Sequence, residues 1–153
     1  MDDAFFWDLI SKLDWEQEGD DAAVVEPVVA ALAERPEAEI TEFGALLASK
    51  LFALDGRAWA RESGDVIWWG EPASLSVDGF LFARCVVVAN GCSFYEAVVR
   101  DPAKMPKDME FEALISVAPL AYARRTGREA DDLNSGEVSF ETFSNHAGWN
   151  LES

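Results

Sequence analysis

Arg84 stands inside FLFARCVVVA, the most apolar stretch of the chain. A guanidinium in such a place must be paired, because an isolated buried charge carries a large desolvation penalty. Two chemistries follow. The commoner is structural: an inner salt bridge or a set of carbonyl contacts, with Asp78, Glu96 or Asp55 as candidate acids. The other is an anion-binding Arg at the floor of a pocket. Trp68, Trp69 and Tyr95 would then line the walls.

Trp68 and Trp69 form a hydrophobic insert in the turn-rich stretch SGDVIWWGEPAS. An indole pair there serves as a ligand platform or an interface anchor, since Trp is enriched at binding hot spots. Capping a core is the more ordinary role. Arg84, Trp68, Trp69, Tyr95 and Asp78 make up the candidate ligand- or partner-binding set. No residue is assigned a catalytic role, and none a metal.

The other chemistry-bearing residues lead to bland readings. Asp14-Trp15-Glu16-Gln17-Glu18-Gly19 has the spacing of an EF-hand loop, but Glu stands where Asp or Asn is wanted and Val25 occupies the twelfth position. A solvated acidic loop is expected. Cys85 and Cys92 lie seven apart; on one helix they would be about 10 Å apart, beyond disulfide reach. They read as buried free thiols. Two Cys and a distant His are too few for a zinc site. His146 is the single histidine and sits in a polar tail with Asn145, Gly148 and Trp149. Nothing matches a P-loop or a dinucleotide fingerprint. No cofactor is implied.

Charge constrains partners more than chemistry. The formal net charge is -17. Residues 1–42 hold 13 Asp/Glu against 2 Lys/Arg, residues 43–127 hold 10 against 9, and residues 128–153 hold 6 against 1. Phosphate binding needs clustered Lys/Arg, so nucleic acid is disfavoured, as are anionic membranes. No apolar run reaches a membrane span, and the N-terminus lacks a signal-peptide pattern. A cytoplasmic chain is expected. The partner that suits the acidic ends is a basic protein. The oligomeric state is left open.

Helical periodicity supplies the elements. Phe5, Phe6, Leu9, Ile10 and Leu13 share one face of a helix from Asp3 to about Leu13. A second helix runs from about Ala22 to Glu34; either Pro27 sits at its start or it kinks a longer helix. A third begins at Pro36, steps through Ile40, Phe43, Leu47, Leu51 and Leu54, and can extend to about Glu62, with Gly56 placed to bend or divide it. Residues 63–74 break the pattern. Ser76 caps a helix from Val77 to Asn90, apolar nearly all round and therefore central. A buried strand competes there because Val86, Val87 and Val88 are β-branched. Ser93 to Glu96 matches a capping box for a short helix ending near Arg100. Phe111 to Thr126 is the last helix, kinked or restarted at Pro119, with Gly127 as its stop.

The resulting fold is mainly α: a compact helical bundle of about five or six helices, with room for a minor β element near Trp68 or in the C-terminal tail. Residues 1–127 form the helical domain. Residues 128–153 form an acidic polar tail, wrapped on the domain or mobile, with Val138, Phe140, Phe143 and Trp149 as its apolar points.

The stretch SLSVDGFLFARCVVVANGCSFYEAVVRDP resembles the bacterial domain-of-unknown-function family DUF4240. The matching positions are Ser76, Asp78, Phe80, Arg84, Gly91, Tyr95, Asp101 and Pro102. Phe6-Trp7, the long helix from Glu39 to Trp59 and Tyr122 to Gly127 add to the likeness. Ala83 departs from an aromatic in the pattern, and Val86 from a Trp. The resemblance spans roughly residues 3–127. It implies an α-rich fold and a bacterial cytosolic protein, and it carries no settled activity.

Two functions from different classes fit these residues. The favoured one is a small, non-catalytic binding protein engaging a basic protein partner, in the manner of an inhibitor or immunity protein. The alternative is a small-molecule-binding domain or small enzyme with a pocket around Arg84 and Trp68/Trp69.

Overall fold

A computed structural model of the chain describes residues 1–129 and 138–150. It is all α among the described residues, with eight helices. They are α1 (Asp3–Ile10), α2 (Asp21–Ala33), α3 (Glu37–Ala53), α4 (Arg57–Ala60), α5 (Val77–Ala89), α6 (Cys92–Arg100), α7 (Val117–Thr126) and α8 (His146–Trp149). The count exceeds five or six because α4 and α8 are single turns. The described residues divide into two compact units: residues 1–48 with 112–129, and residues 49–111 with 138–150. The boundary falls inside α3.

In the first unit α2 packs along α7, with α1 against α2. Asp2 caps α1 by accepting from the Phe5 N–H at 2.8 Å, and Asp20 caps α2 by accepting from Ala23 at 3.2 Å. These aspartates also complement the helix dipoles. Pro27 lies inside α2, which continues through it. The missing N–H is outweighed by a buried face of Val24, Val25, Val28, Val29 and Leu32. Phe6 and Phe43 meet in the same core, ring centroids 5.0 Å apart. Pro119 lies in the first turn of α7, where no helical N–H is needed, and residues 112–116 before it are 3-10. The helix therefore restarts, as one of the two sequence alternatives required. Gly127 ends it at φ 71°.

In the second unit Gly56 divides the long third helix, as an extended residue between α3 and α4. Ser76 caps α5 by accepting from Gly79 at 3.1 Å. All of α5 from Gly79 to Ala89 is buried except Phe82. The helix, not the buried strand, is the state adopted. The capping box at Ser93 is not used as expected: α6 starts at Cys92, with Gly91 as its N-cap at φ 98°. Gly91 reaches a backbone region closed to other residues, so the chain turns at once into α6. Cys85 is buried and Cys92 half-buried, and they are not joined to each other in a disulfide.

The β element expected near Trp68 or in the tail is absent among the described residues. Residues 64–68 close a turn instead, with the Trp68 N–H donating to the Gly64 carbonyl at 2.9 Å. Gly64 has φ 100°, and an added Cβ would stand 2.2 Å from Asp108 Oδ1 and 2.6 Å from its backbone N. Gly64→Ala is therefore expected to cost about 2–4 kcal/mol, from backbone strain and forced displacement. Urea unfolding checks this; an unchanged midpoint would show that residues 64–68 contribute nothing to stability.

Candidate functional site

The helix that carries Arg84 is buried on nearly every face beyond its first turn, so this guanidinium has nowhere to reach solvent. Arg84 is 0% exposed and is the largest fully buried side chain. Its Nη1 donates to the Leu51 carbonyl at 2.9 Å, and its Nη2 donates to Thr142 Oγ1 at 3.0 Å. Thr142 passes its own hydroxyl proton on to the Val77 carbonyl at 2.8 Å. The Phe80 ring lies 4.8 Å from the guanidinium carbon. Nε is buried and has no hydrogen-bond partner among the described residues.

Asp55 is the second buried charge, also 0% exposed. It follows the end of α3 and precedes the Gly56 break. Its Oδ1 accepts from the Phe143 N–H at 3.1 Å and from Trp149 Nε1 at 2.7 Å. Its Oδ2 accepts from the Asn145 N–H at 2.9 Å. Asn145 Nδ2 adds a bond to the Phe52 carbonyl at 3.1 Å. So residues 142–149 close over Asp55 and Arg84. Burial pushes the Arg84 pKa below its ordinary value, while the Asp55 charge leads the opposing, raising influences. The inner acid of the sequence reading is thus Asp55, acting through its field. Asp78 is exposed, and Glu96 accepts from Cys92 at 3.6 Å.

Trp68 is buried in the same core as Phe80, Val87, Val98 and Trp149. Its Nε1 donates to the Glu71 carbonyl at 2.5 Å, and Arg57 stacks on its ring at 5.7 Å. Tyr95 is half-buried and donates its hydroxyl to the Lys50 carbonyl at 2.9 Å. Trp69, by contrast, is 65% exposed. The five candidate residues therefore do not converge. Arg84 and Trp68 belong to the core, Tyr95 to its edge, and Trp69 and Asp78 to the surface. A reading that needs Arg84 at the floor of a solvent-open cleft finds it sealed by a carbonyl, a hydroxyl and an aromatic ring. A groove of about 570 Å³ runs beside α7 in the first unit, past Ile115, Pro119, Leu120 and Arg128, and none of the five lines it. Among the described residues no three His, Cys, Asp or Glu side chains gather as metal ligands. No helix there is long and apolar enough to cross a membrane.

The model of a family described as a protein of unknown function, DUF4240, matches residues 1–124. The chain belongs to the DUF4240 family. No curated protein and no solved structure matches it. Within this DUF4240 chain the matched stretch holds both buried charges, Asp55 and Arg84. The groups that hydrogen-bond Asp55 come from Phe143, Asn145 and Trp149, beyond the end of the match.

Sequence reasoning missed Thr142 and Asn145, and it treated Trp149 as only an apolar point. A Trp followed by a polar residue in a polar tail does signal a docking anchor, since a buried indole N–H needs an acceptor. Nothing in the sequence specified Asp55 as that acceptor among 29 acids.

Proposed function

We propose that this protein is a non-catalytic binding protein of the cytoplasm that engages a basic protein, as an inhibitor or immunity protein does. One observation carries the reading. Between Lys12 and Arg35 the chain has no basic residue and seven acids. Glu16, Glu18, Asp20, Asp21, Glu26 and Glu34 are all exposed. Of these, Glu26 is matched by Arg124 at 2.7 Å. Asp20 spends one oxygen on the α2 cap, and the others present charge outward. Such a field steers cationic partners and loses its reach as salt rises.

The test is a binding screen against basic, neutral and acidic proteins at two ionic strengths. Hits should be basic, and association should slow steeply with salt. Glu16→Lys, Glu18→Lys and Asp21→Lys combined should lower the association rate about tenfold or more at low salt. Hits with no preference for basic proteins and no salt dependence would overturn the reading.

A further inference from the structure

We propose that the face around Trp69 in the second unit is a docking surface for a basic amphipathic segment of the partner; this rests on the reading that the partner is basic. Four large apolar side chains are exposed on the segments hydrogen-bonded around Trp69: Val66 at 71%, Trp69 at 65%, Met109 at 52% and Val77 at 42%. They are half of the large apolar side chains exposed among the described residues. Exposed apolar area costs about 25 cal/mol per Å² relative to burial, so concentrating it on one set of segments marks an interface.

These segments are tied together by hydrogen bonds from main-chain N–H groups. The Val66 N–H donates to Asp108 Oδ1 at 2.9 Å, and the Asp108 N–H donates to the Ser63 carbonyl at 2.9 Å. The Ser76 N–H donates to the Ile67 carbonyl at 2.8 Å. Asp108 holds a left-handed backbone at φ 56° to make its two contacts. Ile67 and Trp68 are buried, so the turn is anchored from inside while Val66 and Trp69 are presented outside. A surface held this firmly loses little conformational entropy on binding.

Charge selects the occupant. Residues 64–71, 76–79 and 107–110 carry five acids, Asp65, Glu71, Asp78, Asp108 and Glu110, and one cation, Lys107. All five acids are exposed. Lys107 is taken up by Glu62 at 2.9 Å. Exposed apolar side chains interspersed along these segments with exposed carboxylates fit a segment with one apolar face flanked by Lys or Arg. The open indole of Trp69 offers a cation–π face to one of those cations.

The experiment titrates a synthetic amphipathic Leu/Lys peptide, and its Leu/Glu counterpart, into the nitrogen-15-labelled full chain. The Leu/Lys peptide should shift the Trp69 indole N–H and the amides of residues 64–71 and 108–110, and the Leu/Glu peptide should not. Trp69→Ala should weaken Leu/Lys binding about tenfold or more with an unchanged thermal midpoint. Shifts confined to residues 14–21, with normal binding by Trp69→Ala, would overturn this surface and leave the basic-partner reading standing. Equal response to both peptides would show a merely apolar patch and overturn the charge selection. No response anywhere to Leu/Lys would overturn the surface together with the reading beneath it. Concentration-dependent self-association abolished by Trp69→Ala would assign the face to a second copy instead.

Discussion

Asp55→Ala is expected to cost about 3–5 kcal/mol, the largest loss of any single acid among the described residues. The carboxylate accepts three hydrogen bonds, from the Phe143 N–H, the Asn145 N–H and Trp149 Nε1. Alanine leaves all three donors unpaired in a site that water does not reach, and each buried orphan costs about 1–3 kcal/mol before the site relaxes. It also removes the acid whose field offsets the buried charge of Arg84. For a chain of this size the loss lowers the thermal midpoint by roughly 6–20 °C. Indole burial reports the same event locally: Trp149, now 4% exposed, should become quenchable with residues 142–149 released. Asp55→Asn separates the two contributions, since the amide keeps one acceptor oxygen and drops the charge. A variant that keeps its midpoint and its Trp149 environment would show that Asp55 does not hold this segment.

The helices were legible because apolar spacing writes them directly. Phe6, Leu9 and Ile10 on α1, and Ile40, Phe43, Leu47 and Leu51 on α3, are buried where the periodicity put them. The breaks were less legible because their causes are tertiary. Gly56 invited either a bend or a division, and Asp55, bonded from residues far along the chain, accompanies the division. Gly91 displaced a perfectly acceptable capping box by two residues, through a backbone state that composition does not display. At the candidate site, burial of Arg84 followed from the apolar helix around it. Its partners did not follow. A Leu51 carbonyl is available from any residue, and Thr142 is 58 residues away. The two adjacent tryptophans took opposite fates, one in the core and one outside. Ile67 and Trp68 go in together while Val66 and Trp69 stay out, and the core that receives them is built by residues far along the chain.

Arg84→Ala should destabilise by about 3–5 kcal/mol, while Arg84→Met should cost distinctly less. Alanine opens a cavity where the largest fully buried side chain stood. Methionine fills much of that volume and carries no charge to desolvate. Both leave the three N–H donors on Asp55 in place, and Thr142 keeps its bond to the Val77 carbonyl. The decisive comparison is made in the Asp55→Ala background. There Arg84 is a buried cation whose remaining partners are a carbonyl, a hydroxyl and a ring. Removing it should then be less harmful than in the parent chain, by a coupling of about 1–3 kcal/mol. Asp55→Ala/Arg84→Met should accordingly melt no lower than Asp55→Ala, and the orphaned donors should keep it well below the parent. Strict additivity in denaturant unfolding would sink this account. It would mean that Asp55 acts through its hydrogen bonds alone and that Leu51 and Thr142 suffice for the guanidinium. Coupling of the expected size would instead make the two charges one structural unit, with residues 142–149 as its seal. The binding chemistry of the protein would then have to be sought on its surface, where Trp69 and the exposed carboxylates stand.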